Sequence, residues 1–102
     1  MNEQQEGLEK ERFRALLASQ HGFPGCYTFK IIYRNENAMD LLIREAIRES
    51  TGLEVADDRV TVRSSSGARF LSMTLDLEVR TAQDVLDVYE VLGKLENIVS
   101  CF

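Results

Sequence analysis

ARFLSMTLDLEV, residues 68–79, decides the fold. Leu71, Met73, Leu75, Leu77 and Val79 fall on one side of an extended chain, and Phe70, Ser72, Thr74, Asp76 and Glu78 on the other. A period of two held this long predicts a strand with one face for a core and one for water or a partner.

Just before it, RVTVRS at residues 59–64 alternates in the same way, with Val60 and Val62 on one side. The RSSSGARF stretch between them, residues 63–70, reads as a hairpin tip. Gly67 supplies the positive φ of a tight turn, and serine hydroxyls satisfy turn backbone groups. Further upstream, CYTFKIIYR at residues 26–34 alternates Tyr27, Phe29, Ile31 and Tyr33 with Thr28, Lys30, Ile32 and Arg34, a third strand.

Helical spacing appears twice. Met39, Leu42, Ile43, Ala46 and Ile47 predict a helix over 38–51, capped by Asn37, favoured by Asp40 and ended by Gly52. Val85, Val88, Tyr89 and Leu92 predict another, opened by Thr81, capped by Asp84 and closed by Gly93. NIVSCF, residues 97–102, reads as a short last strand. Residues 1–7 carry no hydrophobic pattern, and a helix with a thin stripe of Leu8, Phe13, Leu16 and Leu17 follows over 8–19. GFPG at 22–25 punctuates the chain. The expected organisation is an N-terminal extension over 1–22, loose then helical, and a domain over 23–102.

The order β-α-β-β-α-β with right-handed crossovers predicts an α+β ferredoxin-like sandwich. Four antiparallel strands lie in the order 4-1-3-2, with two helices on one face. The 63–70 turn then neighbours Arg34, Asn35 and Asn37.

Charge and size narrow the function. A chain of 102 residues with 44% hydrophobic and 28% charged residues suits one soluble domain. The net charge of −5 disfavours nucleic acid and anionic membranes as partners. No apolar run is long enough for a membrane helix, and MNEQQEGLEKER lacks the apolar core of a secretory signal, so a cytoplasmic setting is expected. Two cysteines and one histidine, His21, make no zinc set, and no oxygen-rich cation loop is present; neither metal nor cofactor is expected. Asp57, Asp58, Asp87 and Glu90 read as solvated positions. Cys26 and Cys101 read as reduced thiols, or, with the first strand beside the last, as a redox pair.

RSSSGARF also invites sharper readings. A phosphate-binding loop needs more glycine, a lysine and a following helix, and this stretch runs into a strand. A nucleophilic serine needs a neighbouring base, and His21 lies outside the domain. No catalytic residue is assigned, and the chain is expected not to be an enzyme. An anion or partner site at Arg34, Arg63, Ser65, Ser66 and Arg69 remains, with the arginines gathered near the positive end of the 38–51 helix. The second candidate is the open sheet face carrying Lys30, Phe70, Ser72 and Thr74, suited to a protein partner or a homodimer. Phe70 is its single aromatic, too few for base stacking on RNA.

FPGCYTFKII (23–32), VRSSSGARFLSMTLDL (62–77) and VYEVLGKLENIV (88–99) together resemble the YbeD-like proteins, small bacterial domains with no established function. The resemblance covers the chain from about residue 23. It implies the ferredoxin-like fold and a likeness to ACT domains, hence a regulatory or protein-interaction role, or an ACT-like sensor of an amino acid or organic acid. RNEN at 34–37 departs from the glycine that ACT domains place between first strand and first helix.

Overall fold

A computed structural model describes residues 3–20 and 22–102. The elements run in the order α1 Glu3–Gln20, β1 Gly25–Arg34, α2 Met39–Thr51, β2 Val60–Ser64, β3 Phe70–Val79, α3 Ala82–Gly93 and β4 Ile98–Cys101. The four strands form one antiparallel sheet ordered β2-β3-β1-β4, the predicted order read from the other edge. This is the expected α+β sandwich with its N-terminal helix.

Parity decides which face is buried. The register pairs Phe29 with Leu75, Ile31 with Met73 and Tyr27 with Leu77, so odd positions of β1 and β3 share one side. Phe29, Ile31, Tyr33, Met73, Leu75, Leu77 and Val79 are buried there beneath Ile43 and Ile47 of α2 and Val85, Val88 and Leu92 of α3. Each such side chain removed from water contributes roughly 1.5–3 kcal/mol before the entropy of ordering is subtracted. The even positions form the open face, as the alternation predicts.

Helix ends depart from the sequence expectation in three places. Ala38, in the left-handed region at φ 60°, precedes α2 with no side-chain cap, so Asn37 does not cap it. Asn37 sits one residue too early, and the loop turns through Ala38 instead. Gly93 is the last residue of α3 and not a left-handed stop; Lys94 follows at φ −93° and the chain reverses at Asn97, φ 72°. Asparagine tolerates that region through its short polar side chain. Helix α1 starts at Glu3, earlier than Leu8, because Glu and Gln favour helix without an apolar stripe.

Gly52 follows expectation, and the start of α3 does so in part, since the Thr81 side chain makes no cap bond. Gly52 takes φ 76° and returns its N–H to the Arg48 carbonyl. Thr81 is extended before α3, and the Asp84 carboxylate accepts the Arg80 backbone N–H at 2.8 Å and the Arg80 guanidinium at 3.0 and 2.9 Å. The same guanidinium donates to the Thr51 carbonyl at 2.8 Å, tying the end of α2 to the start of α3.

Helix α1 lies on α3. Leu17 is buried, Phe13 meets Tyr89 edge-on at 6.2 Å between ring centres, and Arg14 donates to Gln83 at 2.5 Å. Leu16 is half exposed, so the expected stripe is thinner still; the Leu8 side chain lies outside the described residues.

Candidate functional site

The hairpin that carries the serines is built by local chemistry. Ser64 faces Leu71 in the last ladder pair, and Gly67 takes φ 81° in the 66–68 turn. Ser65 Oγ donates to the Phe70 carbonyl at 2.9 Å and accepts the Phe70 N–H at 3.1 Å. Its hydroxyl is thus committed to the turn. Ser66 is exposed at the tip, and Arg69 is exposed beside it.

The arginines lie at the hairpin end of the sheet. Arg34 stands opposite Phe70, and Arg63 opposite Ser72. Both positions have open-face parity, whereas α2 packs on the other side. The hollow at the α2 N-terminus is lined by Tyr33, Asn35, Glu36, Asn37, Ala38, Met39, Asp40, Val62 and Leu71, with no arginine among them. The register leaves Arg34 and Arg63 on the open face at the hairpin end of the sheet, with Arg69 in the hairpin itself.

What the sheet does bring together is a different subset. Lys30 pairs with Thr74, Thr74 with Thr61, and Ser72 with Arg63. These five residues line a shallow basin of about 360 Å³ on the open face. Ser72 and Thr74 are half-buried at its floor, while Lys30, Thr61 and Arg63 are exposed at its rim. Among the described residues neither Lys30 nor Arg63 has an ion pair. Asp76, the nearest acid along β3, accepts the Thr28 hydroxyl at 2.5 Å. Two unpaired cations above three hydroxyls form an electropositive depression suited to a carboxylate or phosphate. Phe70 is half-buried beside it, opposite Arg34.

The cysteines stand apart. Cys101 faces Ile31, and Cys26 faces Glu78, five residues back along β1. At roughly 3.3 Å per residue their positions lie about 17 Å apart, and their parity puts them on opposite faces. A disulfide needs Cα atoms within about 7 Å. Both thiols are free, so the redox-pair reading is overturned. Burial pushes the Cys101 thiol up to about 11.

Two features escaped the sequence reading. One is the hollow at the α2 N-terminus, of about 430 Å³, where the buried Tyr33 hydroxyl has no hydrogen-bond partner among the described residues. Burial, and then the Asp40 carboxylate, raise its pKa. The other is a larger groove of about 940 Å³ walled by Phe13 of α1, Leu86 and Tyr89 of α3, Tyr27 of β1, and Cys101 and Phe102. Tyr27 and Tyr89 join hydroxyls at 3.2 Å there. An aromatic at the solvent end of a strand, as Tyr27 is, was the available signal; the place of α1 was not.

The model of one family matches residues 18–102, most of the chain and all of the sheet and its two packed helices. The chain belongs to the DUF493 family of proteins of unknown function. The resemblance to YbeD-like proteins agrees with that membership. No curated protein matches the chain. Among the described residues, no helix is long and apolar enough to cross a membrane and no group of three ligating side chains is placed to hold a metal. His21 lies outside the described residues.

Proposed function

We propose that this DUF493 domain is a non-enzymatic interaction module of the cytoplasm whose open sheet face receives an anionic group. That group is borne by a partner protein or a second copy of the chain, or is a small metabolite itself. The observation that carries the reading is the basin in which unpaired Lys30 and Arg63 flank Thr61, Ser72 and Thr74. Its lining holds no carboxylate or imidazole to serve as a base, which supports binding over chemistry. The overall charge of −5 makes two cations without ion pairs in one basin stand out. The expected test is an amide NMR titration with inorganic phosphate and succinate. Shifts at Thr61, Arg63, Ser72 and Thr74 should weaken in Lys30→Ala and Arg63→Ala and persist in Arg69→Ala. Absence of shifts with both anions, or shifts indifferent to the first two substitutions, removes the basin as the site.

A second reading is an ACT-like sensor of a small amino acid or organic acid. Its support is the hollow at the α2 N-terminus with the Tyr33 hydroxyl beside it, unpartnered among the described residues. A rise in melting temperature with an amino acid or organic acid, lost in Tyr33→Phe, distinguishes it from the first.

A further inference from the structure

Strand β2 is an edge of the sheet, on the side away from β4. Its outward main-chain groups follow from the ladder. The Ser65 N–H donates to the Phe70 carbonyl at 2.9 Å, and the register continues with Arg63 facing Ser72 and Thr61 facing Thr74. Alternation along an antiparallel pair therefore turns the N–H and C=O of Val62 and Ser64 outward, together with the C=O of Val60. The Val60 N–H is taken by the Asp57 carbonyl. Among the described residues nothing bonds the outward groups of Val62 and Ser64. Val62 faces the helix side by its pairing with Met73, yet it is left 43% exposed. Sheets that keep an edge free protect it with lysine, proline or a bulge. Here β2 has neither residue, its register with β3 runs without a shift, and Arg63 is its one charge.

The strand is self-complementary about Val62. A second copy laid antiparallel across a two-fold axis at Val62 sets valine against valine, Val60 against Ser64 and Thr61 against Arg63. The outward groups then close a ladder: each Val62 N–H meets the other Val62 carbonyl, and each Ser64 N–H a Val60 carbonyl. The two Arg63 side chains are diagonal to each other, not directly opposed. The acidic start of one strand, at Asp57 and Asp58, comes beside the hairpin tip of the other, which bears Arg69. Asp58 and Arg69 are both exposed, and neither has an ion pair among the described residues. The charge of −5 on each copy opposes approach, but physiological salt screens that repulsion beyond roughly 8 Å.

From this edge we infer that two copies of the chain pair through β2, strand antiparallel to strand, into one continuous sheet with the helices of both on one side. The backbone ladder supplies the attachment, as strand addition to a free edge does generally, and the valine pair covers apolar surface that each copy alone leaves in water. Because the contact is the same patch on both copies, it closes on itself and leaves no β2 edge open. Val62 also lines the hollow at the α2 N-terminus, so pairing sets the two hollows on either side of the axis. On the other side of the sheet Thr61 and Arg63 line the basin, so the two basins become neighbours, with Arg63 of one copy beside Thr61 of the other. Pairing uses the rim of the sheet, leaves its open face accessible, and stands apart from anion binding there.

The test follows the whole chain from about 20 µM to about 1 mM by sedimentation velocity and amide exchange. A dimer should grow with concentration, and the Val62 and Ser64 amides, open to solvent in the dilute chain, should exchange more slowly as it does. In a mixture of isotope-labelled and unlabelled chain, filtered NOEs should join Val62 methyls to Val62 methyls across the axis. Val62→Lys sets two ammonium groups face to face at an exposed position and is expected to weaken the dimer about tenfold or more, while Val62→Ile preserves it. A monomer at every concentration overturns the proposal. So does a dimer whose slowed amides lie away from 60–64, or one indifferent to Val62→Lys. Should that variant not fold, the exchange and NOE measurements on the parent chain decide alone. Titrating the basin with anions reads a separate property, and its failure leaves this pairing standing.

Discussion

Asn35 locks the serine hairpin to the rest of the sheet: its side-chain amide donates to the Ala68 carbonyl at 2.8 Å and its backbone N–H to the Arg69 carbonyl at 3.0 Å. A hairpin tip that would otherwise sway over solvent is held by the first residue past β1. Replacing Asn35 with Ala removes one of those bonds in an exposed setting and is expected to cost about 1 kcal/mol. Urea denaturation measures the loss. Faster exchange of amides in the tip, with the centre of β3 unchanged, localises it; unchanged tip exchange would show that the backbone bond alone suffices.

Gly67 is the residue in that tip that a side chain would strain. At φ 81° an added Cβ meets open space but an unfavourable backbone region. Gly67→Ala should therefore destabilise by about 1 kcal/mol with no loss of packing. Gly67→Asn should cost less, since asparagine tolerates the left-handed region, and comparing the two melting temperatures separates strain from contact.

The Arg80–Asp84 pair makes stability depend on acid. The Arg80 guanidinium beside Asp84, with backbone N–H groups assisting, holds its carboxyl below the usual carboxylate range, against the opposing effect of burial. Since the folded value lies below the unfolded one, about 3.9, the contribution is full above that value. It is lost as the pH falls through the folded value. Chemical denaturation between pH 7 and pH 2.5 should show stability declining from about pH 4 downward. Asp84→Ala should remove about 2 kcal/mol at neutral pH and flatten that decline.

Thiol chemistry distinguishes the two cysteines. Cys26 is exposed on the open face, while Cys101 is half-buried with its thiol pushed up to about 11. Alkylation near pH 8, followed by mass spectrometry, should label Cys26 first and Cys101 only slowly. An intramolecular disulfide in air-oxidised protein would contradict the placement of the two on opposite faces.

The alternation in ARFLSMTLDLEV and CYTFKIIYR made the two central strands and their buried faces readable, because a period of two forces successive side chains to opposite sides. Helix spacing did the same for α2 and α3. Caps were less legible. Asn37 and Gly93 have the right chemistry for their expected roles, yet Ala38 and Asn97 take the left-handed positions, since the loop's path back to the sheet, not residue preference, chose where the chain turns. For the candidate site, Lys30, Arg63, Ser72 and Thr74 were readable as sharing the open face. Their convergence with Thr61 in one basin was not, because it depends on cross-strand register.

Sequence by itself determined the element order, the sheet topology and which side of each strand is buried, since these follow from local periodicity and the handedness of short connections. Tertiary structure decided that Cys26 and Cys101 lie on opposite faces and that Arg63 stands across from Ser72 in the same basin as Lys30. Each of these turns on how far one strand slides along another. A shift of one residue inverts a face, and that offset is set by the packing of the whole core.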